Sequence, residues 1–93
     1  MTAPTIIVKR ARDHSETYDE RKLYASIYAS CLAVCTPVGS AEITADKVCQ
    51  DIRGWLAKKP EVTSSDIRRQ ASKHLDVYHP DAAYMYQHHR MML

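Results

Sequence analysis

Behind Asp19 the apolar residues fall into a period that suits a helix: Leu23, Ile27, Cys31 and then Val34 or Cys35. They recur close to every four residues and so share one face. Asp19 is a good N-cap, and Glu20 is favourable in the first turn beside the helix dipole. The spacing predicts a helix from about Glu20 to Cys35, ended by Thr36, Pro37 and Gly39. A second stripe, Val48, Ile52, Trp55 and Leu56, predicts a helix capped by Ser40, with Asp46, Lys47, Gln50 and Arg53 outside. Gly54 weakens that helix by about 1 kcal/mol relative to Ala, which suggests close packing under Trp55. Thr63 followed by Asp66 has the spacing of a capping box. The helix it opens carries Ile67, Ala71, Leu75 and Tyr78 on one face and Arg68, Arg69 and Lys73 on another. Pro80 and Asp81 suit the first turn of a fourth helix, with Ala82, Ala83, Tyr86 and Leu93 facing inward.

Two stretches read differently. Residues 5–10, TIIVKR, place three β-branched apolar residues in a row and predict a strand. Residues 11–15 are a polar loop without Gly, and Glu16 to Tyr18 can return as a second strand, forming a hairpin. Glu61 to Thr63 can form a third. The expected fold is α+β and mainly α: a four-helix bundle capped by a small two- or three-stranded sheet.

Length and composition bound what such a chain can do. Its 93 residues fit a single domain, 1–93, with a modest core and little room for a deep cleft. A formal net charge of +2 is too small to argue for nucleic acid. No apolar run approaches the ~20 residues of a membrane span, and the N-terminus lacks the blocks of a signal peptide. A soluble cytoplasmic protein is expected. Cys31, Cys35 and Cys49 are an odd set without zinc-finger spacing, so buried structural thiols are expected rather than a metal site. The histidines and cysteines form no nucleophile and base pattern, and no catalytic residue is assigned.

Charge concentrates at one place. Lys9 and Arg10 end the first strand, and Lys22 lies one turn inside the first helix. Helix starts offer free backbone N–H groups and partial positive charge. If the third strand pairs with the hairpin, the starts at Asp19 and at Ser64-Ser65-Asp66 both approach Lys9 and Arg10, with Arg68 close behind. Such a cluster can hold a polyphosphate without a Gly-rich loop. Ile7, Tyr18 and Leu23 can cover a base, and Glu16 and Asp19 carry acceptors for an amine or a ribose hydroxyl.

The order Val8-Lys9-Arg10, Glu16-Thr17-Tyr18-Asp19, Lys22-Leu23, Thr63 to Ile67 and Ala82 to Arg90 resembles the ATP-cone domain. This is a nucleotide-sensing module of ribonucleotide reductases and of the repressor of their genes. The resemblance spans roughly residues 6–90 and rests on order and spacing together. It implies a helical bundle capped by three strands that binds ATP or dATP, with Mg, and changes its oligomeric state. It implies phosphate contacts from Lys9, Arg10 and Lys22, with Ser64 and Arg68 nearby and Arg90 a looser candidate. Glu16 and Asp19 would meet base or sugar, and Ile7, Tyr18, Leu23 and Ile67 would line the base pocket. The expected partners are an adenine nucleotide and a second copy or another chain, such as a reductase subunit. The chain departs from the pattern at Ala11 to Ser15, where the family has Asp-Gly.

Two other readings remain. A cone that has lost its nucleotide would act as a protein interaction module. A small nucleic-acid binder would use Arg68, Arg69, Lys73 and Arg90, although one basic helix face is more often only solvated.

Overall fold

The structure, a computed structural model, describes residues 6–9, 14–59 and 61–89, with the backbone alone at 6–9, 14–16 and 89. Arg10 and Arg90, and the inward position expected for Leu93, lie outside the described residues. The chain is mainly helical: α1 Glu20–Ala33, α2 Val38–Leu56, α3 Ser64–Tyr78 and α4 Pro80–His89. Three short strands are β1 Ile6–Lys9, β2 His14–Thr17 and β3 Glu61–Thr63.

Each helix packs chiefly on two others, α1 on α2, α2 on α3, α3 on α4 and α4 on α1, so α1 and α3 stand on a diagonal. The core they share includes Leu23, Ile27, Ile52, Ile67, Leu75 and Tyr86, all nearly or fully closed to solvent. Small residues let the helices approach. Ser26 and Ser30 are buried on α1, and Ala41, Ala45, Ala71, Ala82 and Ala83 line the facing helices. The two serines satisfy their own hydroxyls by donating to the carbonyls four residues back, Lys22 and Ser26, at 3.0 and 2.9 Å.

The local signals set most boundaries. Asp19 accepts from the Arg21 N–H at 3.0 Å and starts α1. The capping box at α3 is complete: Thr63 Oγ1 accepts from the Asp66 N–H, and Asp66 Oδ2 accepts from the Thr63 N–H, both at 3.1 Å. The end of α1 differs from expectation. The helix stops at Ala33, and Cys35 adopts φ 61°. The Cys35 N–H donates to Leu32 and the Thr36 N–H to Cys31, both at 3.0 Å. This is the two-bond closure that usually has Gly at the left-handed position. Here Gly39 lies inside α2, and Cys35, expected in the core, is exposed. Helix α2 begins at Val38, with Pro37 as its cap and no side-chain cap bond, so Ser40 is not the cap. Tyr78, expected to face inward, is exposed and donates to Asp51 Oδ2 at 2.5 Å.

Gly54 does not serve close packing. A Cβ there would meet nothing within 4 Å, and the backbone is not left-handed. Gly54→Ala is therefore expected to raise stability by about 0.4–1 kcal/mol through the unfolded chain. Thermal unfolding by circular dichroism should show a rise of a few degrees, and an unchanged or lower midpoint would contradict it.

Backbone pairing joins β1 to β2 antiparallel, with Ile6 opposite Thr17 and Lys9 opposite His14. It joins β1 to β3 in parallel, with Ile6 opposite Glu61 and Val8 opposite Thr63. The strand order is β2-β1-β3. Strand β2 begins at His14 rather than Glu16, because His14 and Ser15 join the ladder, and Tyr18 lies beyond its end.

Candidate functional site

The register decides which charged groups the helix starts can serve. Strand β3 runs straight into α3 at Ser64, and Val8 is opposite Thr63. The start of α3 thus lies beside the Lys9 end of β1. Strand β2 runs the other way, so Thr17 leaves toward α1 opposite Ile6. The two helix starts flank β1 from opposite ends, about 10 Å apart along the strand. The expectation that both approach Lys9 is corrected to this extent.

Both starts nevertheless lie at one end of the bundle. Arg53, in the last turn of α2, holds Glu20 in the first turn of α1 through two bonds of 3.0 and 2.8 Å. At the other end, Thr36 after α1 hydrogen-bonds His79 after α3 at 2.7 Å. Helices of 14 and 15 residues tied together where they finish also begin together.

The residues expected at the site divide into three groups. Ile7, Lys9 and Glu16 sit in the paired strands, Ile7 opposite both Glu16 and Val62. Tyr18, Asp19, Lys22, Ser64 and Arg68 are open or half-open at the α1 and α3 starts. Leu23 and Ile67, expected as pocket walls, are 0% and 1% exposed. They present no surface to a ligand and form a floor within the core. Asp19 is also less free than expected. Its carboxylate takes the guanidinium of Arg21 at 3.3 and 3.4 Å and the Arg21 N–H. Those side-chain bonds first, and then the backbone bond, hold its pKa below the usual carboxylate range. It is first a helix cap. Lys22 is exposed and forms no ion pair among the described residues.

Two groups stand out that sequence reasoning gave other or lesser roles. The hydroxyls of Tyr18 and Tyr86 are both buried and have no hydrogen-bond partner among the described residues. Tyr18 packs half-buried against the core just before α1, and Tyr86 is 1% exposed on α4. The two phenols are electrostatic neighbours. Burial drives both pKa values up, Cys49 adds to both, and Tyr86 adds to Tyr18. Arg68 acts the other way on Tyr86 and Arg53 on Tyr18. Two phenols without partners among the described residues and the Cys49 thiol thus lie within electrostatic reach of one another, with Arg53 and Arg68 close enough to act on them. Buried polar groups without partners are rare in native proteins, and they mark strain, water or an absent ligand. Sequence reasoning assigns Tyr86 only an inward position. Its one further signal was its place after Ala82-Ala83 in the stretch that carries the resemblance.

Among the described residues no cluster of three His, Cys, Asp or Glu side chains is suited to a metal ion. No helix in them is long and apolar enough to cross a membrane.

What the fold and the site define is a small, mainly helical domain with two helix starts, cationic side chains and unsatisfied phenols at one end. Comparison with protein-family models, with curated proteins and with solved structures finds no match.

Proposed function

We propose that this chain is an ATP-cone-like regulatory domain, in which the three paired strands cap the bundle and an adenine nucleotide binds beneath them. On this reading the domain carries out no catalysis. ATP or dATP orders the hairpin against α1 and α3, and this exposes or hides a surface for a second copy or a partner chain. The nucleotide shifts that balance only by its difference in affinity between the two forms.

The observation that carries the reading is the pair of unpartnered hydroxyls, Tyr18 and Tyr86, at the end where two helices begin. Phenol O–H groups can donate to ring nitrogens or accept from an exocyclic amine, and because both are closed over in this structure they meet a base only when the strand cap moves to admit it. The open N–H groups at the start of α3, with Lys22 and Arg68, suit phosphate oxygens. Lys9, Arg10 and Arg90 join them by the sequence resemblance alone. Mg would travel with the triphosphate. The carboxylates at this end are committed, Asp19 to Arg21, Glu20 to Arg53 and Asp66 to the capping box. The protein's part is thus to hold the phosphates and the base.

The test is a thermal shift with MgATP and MgdATP, followed by titration calorimetry. A ligand at about 100 times its Kd adds about 2.7 kcal/mol to a fold that it alone binds. Lys9→Ala, Arg10→Ala and Lys22→Ala should each weaken binding about tenfold while leaving the melting curve of the free protein in place. Unchanged affinity in all three would remove the site. Absence of any nucleotide shift, with self-association retained, would leave the interaction-module reading.

A further inference from the structure

We propose that the groove between α3 and α4 is a second binding site, for an organic phosphate, its phosphate held by Arg69 and Ser72 with Arg68 shared with the nucleotide site, and its body lying along Tyr84. The groove comprises two adjoining cavities of about 230 and 480 Å³. They share Arg69, Ser72 and Gln87, so they form one channel.

The smaller cavity is completed by Ser65 and Arg68. Every side chain around it can donate a hydrogen bond, and none is a carboxylate. Arg68 forms no ion pair among the described residues, and Arg69 meets Asp66 only at 3.8 Å. Asp66 is itself occupied by the Thr63 N–H. Ser72 supplies an independent sign. It is 5% exposed, opens on both cavities, and its hydroxyl has no partner among the described residues. Elsewhere in this protein, buried helix serines bond back to their own helix, as Ser26 and Ser30 do. A hydroxyl without a partner, opening on a cavity that two guanidiniums also line, suits an oxyanion, and guanidinium forks match phosphate oxygens in particular.

The larger cavity differs in character. Pro80, Ala83 and Tyr84 give it an apolar side. Tyr84 is 59% exposed, and its ring is stacked with His88 at 4.0 Å between centroids, which holds it as a flat wall. Asp76 stands in this cavity and not in the smaller one. The charge therefore sets the direction of the ligand: phosphate toward Ser65 and Arg68, planar body toward Tyr84. Lys73, also without an ion pair among the described residues, lines the larger cavity. Arg68 also serves the nucleotide site proposed above, whereas Arg69, Ser72, Lys73 and Tyr84 do not belong to it.

The probe is phenyl phosphate, titrated into the isotope-labelled full chain and followed by amide NMR, beside inorganic phosphate, phenol and a matched chloride series. Saturable shifts confined to residues 65–73 and 83–87 are expected. Phenyl phosphate should bind several-fold more tightly than inorganic phosphate, and phenol should give no saturable shift. Arg69→Gln should raise the Kd about tenfold, the effect of losing one charge-assisted bond, and Ser72→Ala should raise it several-fold. Both variants should keep the melting curve of the parent. Shifts reproduced by chloride, shifts centred on residues 18–23 instead, or equal affinity in both variants would overturn the site. Equal binding of phenyl and inorganic phosphate would overturn the role given to Tyr84. The titrations contain no nucleotide, so whether ATP binds at the hairpin does not change these outcomes.

Discussion

Truncating Tyr86 to alanine is expected to cost about 3–5 kcal/mol, whereas Tyr86→Phe is expected to stabilise the ligand-free protein by about 1–3 kcal/mol. The two substitutions separate the ring from the hydroxyl. The ring is 1% exposed and belongs to the cluster that also holds Leu23, Ile27, Ile52, Ile67 and Leu75. Removing it opens a large cavity among side chains from several helices, which cannot all collapse into it. The hydroxyl is buried without a partner and bears its desolvation cost without compensation. Phenylalanine keeps the ring and removes that cost. Urea unfolding followed by helical circular dichroism and by the single Trp55 should place the Phe variant above the parent and the Ala variant well below it. A Phe variant less stable than the parent would mean that the hydroxyl is already satisfied. In that event the observation behind the nucleotide reading is lost.

The same residue shows where sequence reasoning stops. Signals that act within one turn of chain were legible. Asp19, the Thr63 and Asp66 pair, and Pro80 each act on backbone groups a few residues away, and all three helix starts fall where they predict. The apolar period also gave the helix count, because a buried stripe has to repeat whatever it packs against. Apart from Ser40, a cap by residue type that lies inside α2, failures began where the outcome depends on geometry between elements. Nothing in the sequence says that Cys35, and not Gly39, takes the left-handed position, since the end of α1 follows from where α2 must turn back. Leu23 and Ile67 have the right character for a base pocket, but how far the bundle closes over them is a tertiary property. Whether Tyr86 satisfies its hydroxyl depends on four helices at once. The α3 and α4 groove joins residues such as Ser65 and Gln87 that no motif connects. The basic residues Arg68, Arg69 and Lys73 were visible as a helix face, but the groove they line was not.

Alkaline pH is expected to unfold this protein cooperatively, with a midpoint between about pH 10 and 12. Burial pushes the Tyr86 hydroxyl from its ordinary 10.0 up to about 12, against a smaller pull from Arg68. Burial, and then the charge of Glu20, pushes the Cys49 thiol from 9.0 up to about 12. Tyr18 moves in the same direction, chiefly through burial. Well below pH 9 these groups are protonated whether the chain is folded or not, and full stability is present. Above their ordinary values the unfolded chain releases protons that the folded chain retains, so stability falls as pH rises toward the folded values. Two units on Tyr86 and three on Cys49 correspond to about 3 and 4 kcal/mol. Their total is comparable to the ~5–15 kcal/mol that holds a typical domain together. The last part of the tyrosinate absorbance should therefore rise together with the loss of helical circular dichroism, as buried phenols ionise only when the fold opens, whereas exposed ones such as Tyr84 ionise before it. Tyr86→Phe removes one such proton, so its stability should fall less steeply, by about 1.4 kcal/mol per pH unit, between the two Tyr86 values. A parent that keeps its helices beyond pH 12, or a Phe variant with the same slope, would show that these phenols and thiols are open to water and that the end of the bundle is not closed as described.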